Sequence, residues 1–147
     1  MAGKRPSVLK SKSVVAGGSP APPPMPASFP NARSSGLFSA PCDAKYIDWS
    51  VMNGGIVGHW IRVKVYKCPV GAPKIAVAGP TAVFLDARVA AHEAVLLGAE
   101  RRSVYYEVVV EDEDMRMHPS VQLFRKYPTD VIAGTLITPG DFGQTVP

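Results

Sequence analysis

The sequence predicts a mainly β protein, with α+β as the alternative: an antiparallel sandwich or barrel-like body of about six or seven short strands and one short helix, preceded by an extended N-terminal arm. Three observations lead there. Residues 60–67 and 103–110 are rich in β-branched and aromatic residues, and the first of them alternates apolar with polar. Turn chemistry built on Gly, Pro and Asn separates short apolar runs along residues 43–147. The first 42 residues have the opposite texture, dense in Pro, Ser and Gly and free of acid.

The arm is assigned to residues 1–42 and the compact domain to residues 43–147. Residues 1–42 hold Lys4, Arg5, Lys10, Lys12 and Arg33 and no Asp or Glu, a charge of +5. The remaining eleven Lys/Arg and all twelve Asp/Glu fall in residues 43–147, which therefore carry −1. The net charge of +4 thus describes a basic tail on a nearly neutral body. Residues 17–26, with Pro20, Pro22, Pro23, Pro24 and Pro26, cannot form a helix or an internal strand, because proline removes donors and restricts the residue before it. Such a run samples polyproline II and is free to lie on a surface.

No segment approaches the roughly 20 apolar residues of a membrane helix. A secretory signal is not expected, since Val8-Leu9 and Val14-Val15-Ala16 are short and interrupted by Lys10 and Lys12. The acid-free, Ser-rich start resembles the composition of an organelle transit peptide, but its prolines oppose an amphipathic helix. Cys42 and Cys68 are too few for a disulfide framework and read as reduced thiols in a cytosol-like compartment.

In order along the body, residues 46–51 alternate weakly and read as a strand, and Asn53-Gly54-Gly55 reads as a hairpin turn. In residues 60–67, Ile61, Val63 and Val65 share one face, and Arg62, Lys64 and Tyr66 the other. Residues 74–78 and 81–85 are two short apolar strands divided by Gly79-Pro80. A helix is predicted over residues 87–97, with Asp86 as N-cap and Gly98 as the terminating glycine. The strand at 103–110 runs into an acidic turn of Glu111, Asp112, Glu113 and Asp114. Residues 121–127 fit either a strand or one helical turn, residues 130–138 read as a last strand, and the tail from Pro139 is irregular.

No residue pattern in the sequence assembles a catalytic or metal motif. His59, His92 and His118 are widely spaced, and His92-Glu93 lacks a second histidine four residues on, so no metal pattern forms. Cys68-Pro69 at a strand end reads as a small buried hydrophobe. Gly54-Gly55-Ile56-Val57-Gly58 leads into a strand and lacks the Gly-Lys-Ser/Thr ending of a phosphate loop. No nucleophile elbow is present. The four acids lack the spaced ligands and central glycine of a calcium loop. Neither a cofactor nor a metal is expected.

The functional expectation is a non-enzymatic structural protein of a large symmetric assembly, a virion component of the capsid, cement/decoration or head–tail kind, assembled in the host cytoplasm. Lys4, Arg5, Lys10, Lys12, Phe29, Arg33, Leu37 and Phe38 are the arm residues expected to dock on neighbouring copies or other structural proteins. Glu111, Asp112, Glu113 and Asp114 form an acidic counterpart for a basic arm. The alternatives are a peripheral protein of a ribonucleoprotein particle such as an organellar ribosome, its arm on RNA, and a small enzyme whose site forms only in the fold. Nucleic acid is the secondary partner; no membrane is expected.

Overall fold

The computed structural model describes residues 21–98 and 104–145, and the backbone alone of residues 13–16. Lys4, Arg5, Lys10 and Lys12 lie outside the described residues. Twelve strand segments follow one another: β1 (Ser13–Ala16), β2 (Asn31–Ser34), β3 (Phe38–Ser39), β4 (Tyr46–Asn53), β5 (His59–Pro69), β6 (Ile75–Ala76), β7 (Thr81–Leu85), β8 (Ala90–Leu96), β9 (Val104–Asp112), β10 (Met117–Lys126), β11 (Asp130–Val131) and β12 (Gly143–Thr145). They form two sheets. The larger runs β1–β7–β5–β9–β2–β12, with β3 beside β9 and β6 beside β5; the smaller runs β11–β10–β4–β8. All pairings are antiparallel except β1 with β7. The protein is mainly β.

Among the described strands the chain crosses from the small sheet to the large one three times: from β11 to β12 near the C-terminal end and, earlier, in two paired crossings, from β4 to β5 and from β8 to β9. β4 lies beside β8, as β5 lies beside β9, so the two crossings interlock. Alternate residues of each strand point into the space between the sheets. β4 contributes Ile47, Trp49 and Val51; β5 Ile61, Val63 and Val65; β9 Tyr106, Val108 and Val110; β10 Met117, Val121 and Leu123; all are buried in one core. Each such aliphatic side chain stabilises the fold by roughly 1.5–3 kcal/mol through area removed from water. Of residues 121–127, open between strand and helix in the sequence, 121–126 belong to the strand β10 and Tyr127 begins the turn after it.

The expected helix at 87–97 is a strand. β8 alternates, with Ala91, Glu93 and Val95 inward and Ala90, His92 and Leu96 exposed, and it pairs with β4 along its whole length. Pairing and burial override the helix propensity of four alanines. The period of two is hidden in the sequence because one inward residue is Glu93, whose Oε1 accepts a hydrogen bond from Thr81 Oγ1 at 2.8 Å. Asp86, the expected N-cap, opens a turn instead: Val89 N donates to Asp86 O, and Arg88 sits at φ 65°.

The Asn53-Gly54-Gly55 turn does not close a hairpin either, because β4 and β5 lie in different sheets. Asn53 is a buried staple of this crossing. Its Nδ2 donates to Val57 O (2.8 Å) and Leu85 O (3.0 Å), and its Oδ1 accepts from Gly55 N. Gly54 is required by crowding: a Cβ there would fall 2.4 Å from His118 Nε2 and 2.9 Å from Arg116 O.

Three boundaries also move. Glu111 and Asp112 belong to β9, leaving Glu113 and Asp114 in the bend. Residues 130–138 supply only the two-residue β11 and a bridge from Ile137 to Val121. The tail is not wholly irregular: a 3-10 turn at Pro139–Asp141 leads into β12, which pairs with β2. Above all, the division at residue 42 does not separate arm from body. β2 and β3 are strands of the large sheet against β9, and Phe29 is 3% exposed. Four residues can enter a sheet despite nearby prolines because residues 31–37 contain none.

Candidate functional site

The segment preceding β2 lies on the outer face of the large sheet, on a seat of its own. Trp60 and Phe84 are directly paired across β5 and β7, and both side chains point away from the main core. Their rings meet edge to face, 5.7 Å apart. With Phe29 and Ala82 they make a second, smaller apolar cluster. Trp60 Nε1 donates to Pro23 O at 2.9 Å, which fixes the proline-rich segment beside the indole. The Arg62 guanidinium stands 5.0 Å above the Phe29 ring, a cation–π contact. Gly58 makes room for the seat, since a Cβ there would lie 2.6 Å from Phe84 Cζ.

Arg33 and the acidic residues complete the attachment. Arg33 points inward from β2. Its Nη2 donates to Asp112 Oδ2 at 2.9 Å and to Met117 O at 2.6 Å, in buried surroundings. Burial, outweighing the Arg33 bond, holds the Asp112 carboxyl above its ordinary value. On the outer face, Glu111 Oε1 accepts from Arg62 Nε at 2.6 Å and lies 3.3 Å from Lys64 Nζ. Burial pushes this carboxyl up, but the bonds from Arg62 and Lys64 prevail and leave it below its ordinary value. Glu107 accepts from Lys74 Nζ at 3.0 Å and from Ser34 Oγ at 2.5 Å. The bond to Glu107 raises the Lys74 ammonium against desolvation.

Of the five basic residues assigned to the arm, Arg33 lies among the described residues, and its acidic partner is in the same chain. Arg33 meets Asp112, and Glu111 is taken up by cations of β5. Glu113 Oε1 accepts from Trp60 N at 2.7 Å, and Asp114 Oδ2 lies 3.2 Å from His59 Nε2. Of the remaining arm residues, Phe38 packs on Tyr106 with ring centroids 6.4 Å apart, while Leu37 is 64% exposed.

The small sheet presents its outer face to solvent. Tyr46, Phe124 and Tyr127 form an aromatic cluster at one end, with Tyr127 centroids 6.1 Å from Tyr46 and 5.0 Å from Phe124. A shallow groove of about 360 Å³ is lined by Tyr46, Ala94, Tyr127 and Pro128. Met52, Leu96 (63% exposed) and Val131 are exposed beside small residues such as Ala90. Here His92 Nδ1 lies 3.1 Å from Tyr127 Oη and 3.5 Å from Asp48 Oδ1. Ser50 sits opposite His92 in the register, but its hydroxyl bonds Ser120 Oγ at 2.8 Å, so serine, histidine and aspartate do not form a relay. Cys68 is half-buried, and burial together with Glu107 raises its thiol, which disfavours the nucleophilic thiolate. Among the described residues no three metal-ligating side chains converge, and no helix is long and apolar enough to cross a membrane.

Trp60, Phe84, Pro23 and Gly58 are the site residues that sequence reasoning missed. Their signal was faint: Trp60 and Phe84 fall out of phase with the core-facing residues of their strands, which implies a second apolar surface. Comparison of the chain with protein-family models, with curated proteins and with solved structures returns no match.

Proposed function

We propose that the chain is a non-enzymatic structural subunit of a large symmetric assembly, a virion component of the capsid, cement/decoration or head–tail kind. The observation that carries this reading is the uncovered outer face of the small sheet. At one end exposed Leu96 and Val131 adjoin the Tyr46, Phe124 and Tyr127 cluster, and at the other, beyond Asp48, Ser50 and His92, stands exposed Met52; exposed apolar side chains grouped as at the first end are what a protein contact covers. β8 borders the same face as an edge strand of seven residues carrying neither Lys nor Pro, so a neighbouring chain meets both apolar side chains and backbone groups. Because residues 29–39 are seated on the chain's own body, the reach toward neighbours is shorter than that of a free 42-residue arm.

Light scattering across a concentration series tests the proposal. Association of the full chain that is lost in Leu96→Glu and Met52→Glu supports it; a monomer at every concentration sinks it. The acid-free start with Lys4, Arg5, Lys10 and Lys12 favours the ribonucleoprotein alternative. RNA binding with a steep salt dependence that disappears when those four residues become Ser would select that reading instead.

A further inference from the structure

We propose that residues 21–35 are an exchangeable strand, which seats on a second copy of the chain through the same contacts it makes on its own body, with Gly36 as the hinge. This rests on the assembly reading and names the contact that would join its subunits.

The contacts divide cleanly at Gly36. Before it lie Pro23, held by Trp60; Phe29, on Trp60 and Phe84; Arg33, bonded to Asp112 and Met117 O; and Ser34, bonded to Glu107. Ser35 N donates to Val108 O, and Ser35 Oγ accepts from Val108 N. β2 lies between β9 and β12. Every partner in this set comes after residue 36. A second copy therefore offers an identical seat, and exchange changes neither the number nor the kind of bonds.

The hinge is suited to opening. Gly36 sits at φ +74°, in the left-handed region, and a Cβ at this position would meet nothing within 4 Å. The turn is braced by bonds local to it, from Gly36 N to Ser34 Oγ at 2.9 Å and from Ser35 Oγ to Gly36 O at 2.8 Å, and glycine reaches extended and left-handed backbone about equally well. β3 follows at once and pairs with β9 at Tyr105 and Tyr106, so the chain beyond the hinge stays with its own body. Between them stands Leu37, a large apolar side chain 64% exposed in the closed form. Two bodies joined through opened hinges bring their Leu37 residues into the new junction, where burial rewards the open form. Since the seat contacts cancel, that junction and the local concentration of copies set the balance.

Charge reversal tests this without an unidentified ligand. Arg33→Asp sets acid against acid within its chain, and Asp112→Arg sets base against base. Only an exchanged pair of the two variants restores both bonds at once. Refolded together in equal amounts, they are expected to yield a species of twice the chain mass containing one of each, more resistant to urea than either alone. A mixture that behaves as the sum of its two components overturns the proposal.

A second measurement decides if these variants fail to fold. Ser34 is registered opposite Val109. In a background of Cys42→Ser and Cys68→Ser, chains carrying Ser34→Cys are mixed with chains carrying Val109→Cys, refolded together and oxidised. A disulfide-linked heterodimer supports exchange. Cross-linking confined to a chain carrying both cysteines shows a permanently intramolecular strand and overturns it. Association that persists without the inter-chain disulfide leaves the assembly reading standing and removes the exchange alone.

Discussion

Arg33 Nη2 donates to Asp112 Oδ2 at 2.9 Å and to Met117 O at 2.6 Å, tying a residue of the N-terminal segment to the end of β9 and the start of β10. The bond is monodentate and lies out of solvent. Its removal from one side strands the other charge. Arg33→Ala is expected to cost about 3–5 kcal/mol, because Asp112 keeps its burial and loses its charged partner. Replacing the pair together with Met and Leu is expected to recover most of that loss. Urea unfolding of the single and double variants, compared in a mutant cycle, measures both.

The two neighbouring acids predict opposite pH responses. Glu111, held below its ordinary value of 4.5 by Arg62 and Lys64, contributes stability that is present above that value and is lost as pH falls through the lowered one. Asp112, held above its ordinary 3.8 by burial, binds an extra proton in the folded state between 3.8 and its raised value, so stability declines as pH rises across that interval. Glu111→Gln is expected to flatten the acid-side loss below 4.5, and Asp112→Asn the decline that begins at 3.8. Urea midpoints from about pH 3 to about pH 6 separate the two slopes.

Gly58 predicts a size constraint. Ala at this position puts a Cβ 2.6 Å from Phe84 Cζ, and the ring cannot retreat without disturbing Trp60. A loss of about 1–3 kcal/mol is expected. Phe84→Leu in the same chain should return part of it, which thermal unfolding of the double variant reads directly.

Trp60→Phe keeps an aromatic ring in the seat and removes the donor to Pro23 O. About 1 kcal/mol of local attachment should disappear, with a smaller effect on global unfolding. Limited proteolysis is the sensitive measurement: cleavage within residues 22–28 should accelerate while the core fragment survives.

Leu96→Glu addresses the outer face of the small sheet. At 63% exposure the substitution should change unfolding free energy by no more than about 0.5 kcal/mol. Association, followed by light scattering, should weaken sharply if that face is an interface.

The strands at 46–51, 60–67, 81–85 and 103–110 were legible because their local pattern agrees with their surroundings. Ile61, Val63 and Val65 alternate with Arg62, Lys64 and Tyr66, and the structure puts the first three in the core. β8 was not legible, because its decisive features are non-local. Glu93 occupies an inward position where Thr81, on another strand, offers a hydroxyl, and Ala90, Ala91 and Ala94 carry a helical preference until β4 pairs with them. The arm shows the same division in one segment. Composition reveals that residues 17–26 cannot fold alone, yet nothing local tells Arg33 that Asp112, seventy-nine residues on, stands across the sheet.

Composition and period alone determine the β class, the placing of those four strands, the basic character of the first residues and the absence of any spaced catalytic or metal motif. These are short-range properties, set by side chains within a few positions of one another. The tertiary structure alone decides which strands are neighbours, where the body begins, and that Arg33 and Asp112 meet within one chain. Those outcomes depend on the closure of long loops and on burial, which assign partners by place in the fold instead of order in the chain.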